Sequence, residues 1–281
     1  MVTAKFSPSD YVKAYRNLEI MTARGCKQTG VVQYLCRIYT PGLYAEADSF
    51  WQAVMPVILK KKLIIYNDLP WLAECFHGKG SPGWIRYALW AVDQVNPDEV
   101  PKYRDDLSGD DRIDKVCMKF IGVDCNGFAG NYCVDNLHPG CPPANFPNLL
   151  PALWKNLSPI SWRSKVSDIK PLDVLIYPGN HHIAIIDSKQ GSTFTICQST
   201  GGGPQTSFGH TIQEAGSSDN TPQFQVSNGT GLYGPPPSQL PALLRIKSIG
   251  FNPDIPRIHE VPVILHLTNT SSQVVVRKSG A

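Results

Sequence analysis

The sequence contains no run of about eighteen continuous apolar residues, the length a membrane-spanning helix needs, so no span is expected. None of its 8 cysteines forms a Cys-x-x-Cys pair, which removes the usual zinc-ribbon and dithiol signatures. Charge is scarce at 17% of residues and nearly balanced at a formal +3. That excess is too small to argue for nucleic acid, and no basic run is interleaved with aromatics. Gly201-Gly202-Gly203 lacks the Lys-Ser/Thr that would make a phosphate loop, and no repeat of solenoid period is present. The first ten residues do not place charge, apolar core and cleavage site in the order of a secretory signal.

What is present centres on Val123 to Cys133. Ile113, Val116, Cys117 and Phe120 recur at helical spacing and Gly122 closes that segment, while Phe128 and Tyr132 stand four apart as one face of a second helix. Cys125 therefore falls where a turn enters a helix. Unpaired N–H groups and the positive end of the helix dipole favour thiolate there. Gly127 permits close approach and Phe128 anchors the turn in the core. Most cysteines are only packing residues, so the assignment needs a base.

A base follows 57 residues later. Residues 171–177 read as a strand, Pro178-Gly179-Asn180 as a turn and His181 to Asp187 as the returning strand. A histidine opening that strand, His182, can face a thiol while the strand holds its ring, as Cys–His acyl transfer requires. The next strand, Thr193 to Thr200, supplies an orienting group, with Gln198 the first candidate and Ser199 the second. Adjacent strand residues point to opposite faces, so His181-His182 is not a metal pair, and neither metal nor cofactor is expected.

These residues carry a resemblance. Asp124-Cys125-Asn126-Gly127-Phe128 resembles the Asp-Cys-Ser-Gly-Phe box of the NlpC-type papain-like cysteine peptidases, a family of cell-wall enzymes. Leu172 to Tyr177 is similar to that family's Gly-Asp-Leu-Val-Phe-Phe strand, and His182-Ile183-Ala184-Ile185 to its His-Val-Gly-Ile strand. Leu243 to Ile249 fits the closing strand of the same sheet. The resemblance covers roughly residues 106–250 and implies Cys125 as nucleophile, His182 as base and Gln198 as the polar orienting residue. It also implies that Asp124 and Asn126 lie at the substrate, Asp124 beside the free amino terminus of a stem peptide. Asn126 stands where the family has Ser, Leu172 and Ala184 where it has Gly, and Gln198 where it has a second histidine; the first of these bears on substrate preference.

The expected fold is α+β. A papain-like NlpC-type core at 106–250, a catalytic helix on an antiparallel sheet, follows a helical N-terminal region at 1–105 and precedes a C-terminal strand extension at 251–281. In the N-terminal region Tyr11 to Arg24 reads as a helix after the capping residues Ser7 to Asp10. A second helix begins at Ser49 and must start, kink or end at Pro56, and a third buries Trp84, Ile85, Ala88, Leu89, Val92 and Val95. Residues 96–111 are boundary-like, 138–147 are too proline-rich for regular structure, and Leu149 to Leu157 suggests a short helix. Residues 201–238 read as a flexible polar stretch with an exposed His210, and Val261 to Arg277 as a terminal hairpin. Cys133 and Cys141 flank a short loop and are equally compatible with a disulfide and with separate thiols.

The function implied is peptidoglycan hydrolysis by a cysteine endopeptidase or amidase, cutting stem peptides at a bond such as D-glutamate to diaminopimelate. The partners expected are the stem peptide and an inhibitor or immunity protein, without nucleic acid. The absence of a signal suggests an injected effector or a phage lysin, made in the cytoplasm and delivered to the wall. The alternatives are an amidase or acyltransferase acting on another substrate, and a non-catalytic wall- or partner-binding module.

Overall fold

The computed structural model describes residues 6–22, 24–137, 160–177, 182–218, 221–227, 230–231 and 243–249. Among these the chain is α+β, with seven α-helices and an antiparallel sheet that curls on itself. No described helix is long and apolar enough to cross a membrane.

The N-terminal part begins with α1 (Pro8–Arg16), whose first turn is capped by Ser7 Oγ accepting the Asp10 N–H. The helix expected to reach Arg24 ends here. Leu18 and Ile20 are buried while Glu19 and Met21 are exposed, an alternation of period two. They form β1 (Leu18–Thr22), which pairs with β2 (Gly25–Thr29). Gly25 sits at φ +104°, a conformation that terminates a helix and suits a turn.

The second helix, α2 (Pro41–Lys60), starts eight residues before the expected Ser49 and carries Pro56 in its interior. Short α3 (Leu69–Cys75) leads to α4 (Pro82–Asp93), which buries Ile85, Ala88, Leu89 and Val92 as expected. The boundary-like stretch becomes two 3₁₀ turns and α5 (Arg104–Leu107). Next come α6 (Arg112–Phe120), with Ile113, Val116, Cys117 and Phe120 buried, and α7 (Cys125–Tyr132), buried on every side. The chain continues from α7 with π-type hydrogen bonding over Cys133–Leu137.

The sheet comprises β3 (Ile160–Trp162), β4 (Asp173–Ile176), β5 (Ile183–Gln190), β6 (Thr193–Thr200), β7 (Gly203–Ser218), β8 (Thr221–Val226), β9 (Thr230–Gly231) and β10 (Leu243–Ile249). Its order is β3-β10-β4-β5-β6-β7-β8, with β9 on β7. Leu243 and Leu244 of β10 also pair with Gln225 and Phe224 of β8, so six strands close a ring. Arg245 to Ser248 pair with β4, as expected of a closing strand.

Residues 201–238 were expected to be irregular. The described part, Gly203–Ser218 with Thr221–Val226, is instead a long hairpin joined to β6. Its polar residues form a strand because β6 offers a full ladder of partners, not because of apolar alternation.

Strand alternation divides the apolar residues into two clusters. Leu175, Tyr177, Ala184, Ile186, Phe194, Ile196, Ile212 and Phe224 meet one another between the strands of the ring. Val174, Ile176, Ile183, Ile185 and Cys197 point the other way and join α7 and the N-terminal helices in one continuous core. That core crosses residue 105 without a break, from Tyr11 and Tyr15 through Phe50 to Phe128 and Tyr132. The 138–147 insert, the suggested helix at 149–157, the Cys133–Cys141 pairing and the segment 251–281 lie outside the described residues.

Candidate active site

The N-terminus of α7 is built by capping. Asp124 is the N-cap and its carboxylate accepts the N–H groups of Gly127, at 2.5 Å, and Asn126. Phe128, fully buried, fixes the other side of the first turn. Gly127 is required for contact: a Cβ there would lie 2.2 Å from the Gly78 carbonyl oxygen. That carbonyl instead accepts the Asp124 N–H at 2.9 Å, and Gln33 O accepts the Val123 N–H at 3.2 Å. Ser199 Oγ donates to the Val123 carbonyl, which ties β6 to the same turn.

Cys125, the first residue of α7, is 4% exposed. Its sulfur accepts two hydrogen bonds from other segments: the Tyr34 hydroxyl at 3.6 Å and the backbone N–H of Ile183. Ile183 directly follows His182, so the histidine flanks the residue that touches the thiol. Helix α7 packs on β5 and β6, which brings Cys125 to the start of β5.

His182 Nε2 donates to Gln198 Oε1 at 2.6 Å. An amide oxygen only accepts, so Nε2 carries the proton and Nδ1 is the bare nitrogen of the neutral ring. The Tyr177 ring meets the imidazole edge-on at 5.1 Å between centroids. Burial lowers the His182 pKa to about 4, with the Gln198 bond acting the other way. Burial, and next the Asp124 charge, push the Cys125 thiol up to about 12; the bonds from Tyr34 and Ile183 and the Lys79 charge oppose this. At neutral pH the pair therefore rests as thiol and imidazole.

Of the residues expected at the site, His182 and Gln198 are hydrogen-bonded to each other, and Cys125 is bonded by the residue that follows His182. Ser199, the second candidate for orienting the ring, is engaged with Val123 instead. Asp124 is 5% exposed and Asn126 2% exposed. The Asp124 carboxylate forms an ion pair with Lys79 Nζ as well as capping α7. Burial raises its pKa, and the Lys79 charge is the largest influence in the opposite direction.

Two residues at the thiol were not legible in the sequence. Tyr34 lies 91 residues before Cys125 and Lys79 lies 45 before Asp124, and neither belongs to a recognisable box. The glycines flanking Lys79 mark a tight loop but not its partner. His210, expected to be exposed, is 6% exposed; its Nδ1–H donates to Ser227 O and its Nε2 accepts from Ser207 Oγ, both at 2.7 Å. Among the described residues no group of three His, Cys, Asp or Glu side chains stands ready to hold a metal ion. No family model, curated protein or solved structure matches the chain.

Proposed function

We propose that this chain is a papain-like cysteine hydrolase that cleaves a peptide or amide bond in peptidoglycan stem peptides. One observation carries the chemistry: His182 is tied by Nε2 to Gln198, while the next residue in the strand donates its N–H to the Cys125 sulfur. A base with a fixed ring, a bare Nδ1 and a thiol beside it is what acyl transfer needs. The substrate class comes from the sequence resemblance.

In the reaction Cys125 gives its proton to His182 Nδ1 as sulfur attacks the scissile carbonyl carbon. The tetrahedral oxyanion forms within reach of the Tyr34 hydroxyl and the Cys125 N–H, a first-turn donor with no partner inside the helix. His182 then protonates the leaving nitrogen, the C–N bond breaks and a thioester remains. Water, deprotonated by His182, attacks the thioester; the C–S bond breaks, and the proton returns to the thiol. Gln198 holds the imidazolium in register at both steps.

Digestion of purified peptidoglycan by wild type and Cys125→Ala, with mass analysis of released fragments, tests this directly. Fragments from the wild type should fall roughly 10⁴-fold or more in the variant, and their masses name the bond. Intact wall in both, from folded protein, removes the peptidoglycan assignment and leaves another acyl substrate or a binding role.

A further inference from the structure

The segment between α3 and α4, His77 to Gly80, lies against α7, and three of its carbonyls hold it in place, two to α7 and its cap and one to α1. Gly78 O accepts the Asp124 N–H at 2.9 Å. Lys79 O accepts Asn131 Nδ2 at 2.8 Å, and the same amide donates to Gly127 O inside α7. Gly80 O accepts the Tyr15 hydroxyl at 3.0 Å. The backbone alone therefore latches this loop to the helix. The Lys79 side chain is not needed as a fastener, yet it turns inward, with 18% of its surface exposed, onto a carboxylate with 8% exposed.

A buried ion pair of this kind seldom adds much stability over an apolar replacement, because desolvation consumes the Coulomb gain. Its position gives it another use. Asp124 is the residue before the nucleophile, and a lone negative charge there opposes formation of the thiolate.

We propose that Lys79 is a positioning residue for Cys125: its ammonium keeps the Asp124 carboxylate in its capping form and cancels that carboxylate's field at the sulfur. This rests on the reading of Cys125 as the nucleophile. It makes Asp124 an internally balanced cap, so a substrate need not bring an ammonium of its own to that carboxylate.

Among the described residues other groups also face the thiol. Tyr34 donates its hydroxyl to the sulfur, and Tyr39 on the same segment lies within electrostatic reach of it. The start of β5 supplies the Ile183 N–H, and His182, neutral at pH 7, stands just before it. The full charges that act on the sulfur among the described residues are Asp124, which opposes the thiolate, and Lys79, which favours it.

The pair makes opposite predictions for its two members. Removing the ammonium leaves the carboxylate's field uncompensated, and removing the carboxylate's charge leaves the ammonium's. The test is the rate of iodoacetamide alkylation at Cys125, followed by peptide mass mapping at about pH 8; the S–C bond forms as iodide leaves and the thiol proton passes to solvent. Lys79→Met should react about 10-fold slower than wild type and Asp124→Asn about 10-fold faster, the size expected for loss of a neighbouring charge. The double variant should return to within about 3-fold of wild type, and Lys79→Arg should stay within about 3-fold. Asn retains the capping oxygen, so Asp124→Asn preserves the start of the helix.

Single variants that change the rate in the same direction, or a double variant no faster than Lys79→Met, overturn the proposal. If Lys79→Met does not fold, the sign for Asp124→Asn decides alone: faster supports the proposal and slower overturns it. Failure of the nucleophile reading shows up elsewhere, as a wild-type Cys125 that reacts no faster than the same thiol in His182→Ala.

Discussion

His182 stands just before β5 and His210 on β7, the two strands that flank β6, and burial lowers both of their pKa values. Their hydrogen bonding separates them. His210 has both ring nitrogens occupied, one by a backbone carbonyl and one by the Ser207 hydroxyl, so it fastens β7 to the residue that follows β8. His182 has Nε2 held by Gln198, and among the described residues no hydrogen bond is made by its Nδ1. Burial and a depressed pKa alone do not mark a catalytic histidine. In the proposed function what sets His182 apart is one nitrogen fixed by Gln198 and a neighbouring residue whose N–H meets the Cys125 sulfur.

The largest test of this contrast exchanges the two rings for alanine. His182→Ala should lower the rate of fragment release about 10³-fold with little change in fold, the usual size of a general-base contribution. His210→Ala should leave that rate within about 3-fold and lower the stability measured by urea unfolding by about 1–3 kcal/mol, because Ser207 and the Ser227 carbonyl lose a partner. Equal rate losses in both would erase the distinction.

A second test uses pH. The His182 pKa is about 4 in the folded chain against 6.5 for an unperturbed ring. As pH falls from 6.5 towards 4 the unfolded chain takes up the proton first, so stability present above 6.5 is lost through that window and levels off below it. With the ring partly exposed, the loss should be about 2 kcal/mol, and His182→Gln should remove it from the urea unfolding curve. His210 shifts in the same direction and acts as the internal comparison, since it should keep its share of the loss in the His182 variant.

The smallest effect should come from Gln198→Ala. It leaves the base in place but frees its orientation, so kcat should fall about 10–100-fold while KM moves little. A loss confined to KM would mean that Gln198 meets substrate and does not hold the ring.

How far the sequence could be read depended on the range of the forces involved. The turn before Cys125, α6, α7 and strands β4, β5, β6 and β10 were legible because apolar periodicity and turn residues are local signals. The hairpin of β7 and β8 was not, since Gln205, Thr206, Ser207 and their neighbours have no apolar alternation and take extended form through pairing with β6. The β1–β2 hairpin was misread because its strands are only five residues each, too short to overcome a mixed pattern that also suits a helix. Tyr34 and Lys79 reach the site across tertiary distance, which no spacing rule encodes.

The ring of strands has a consequence for how the protein is made. Strand β4 finds its second neighbour only when Arg245 to Ser248 emerge, about seventy residues of synthesis after Ile176. Until then a nascent chain carries α7, β5 and β6 ready to assemble beside a bare, fully buried-type edge of Val174, Leu175 and Ile176. A chain stopped before residue 243 retains Cys125, His182 and Gln198 yet presents an adhesive seam to its neighbours. Ribosomal stalling late in the message is therefore expected to leave an aggregation-prone chain.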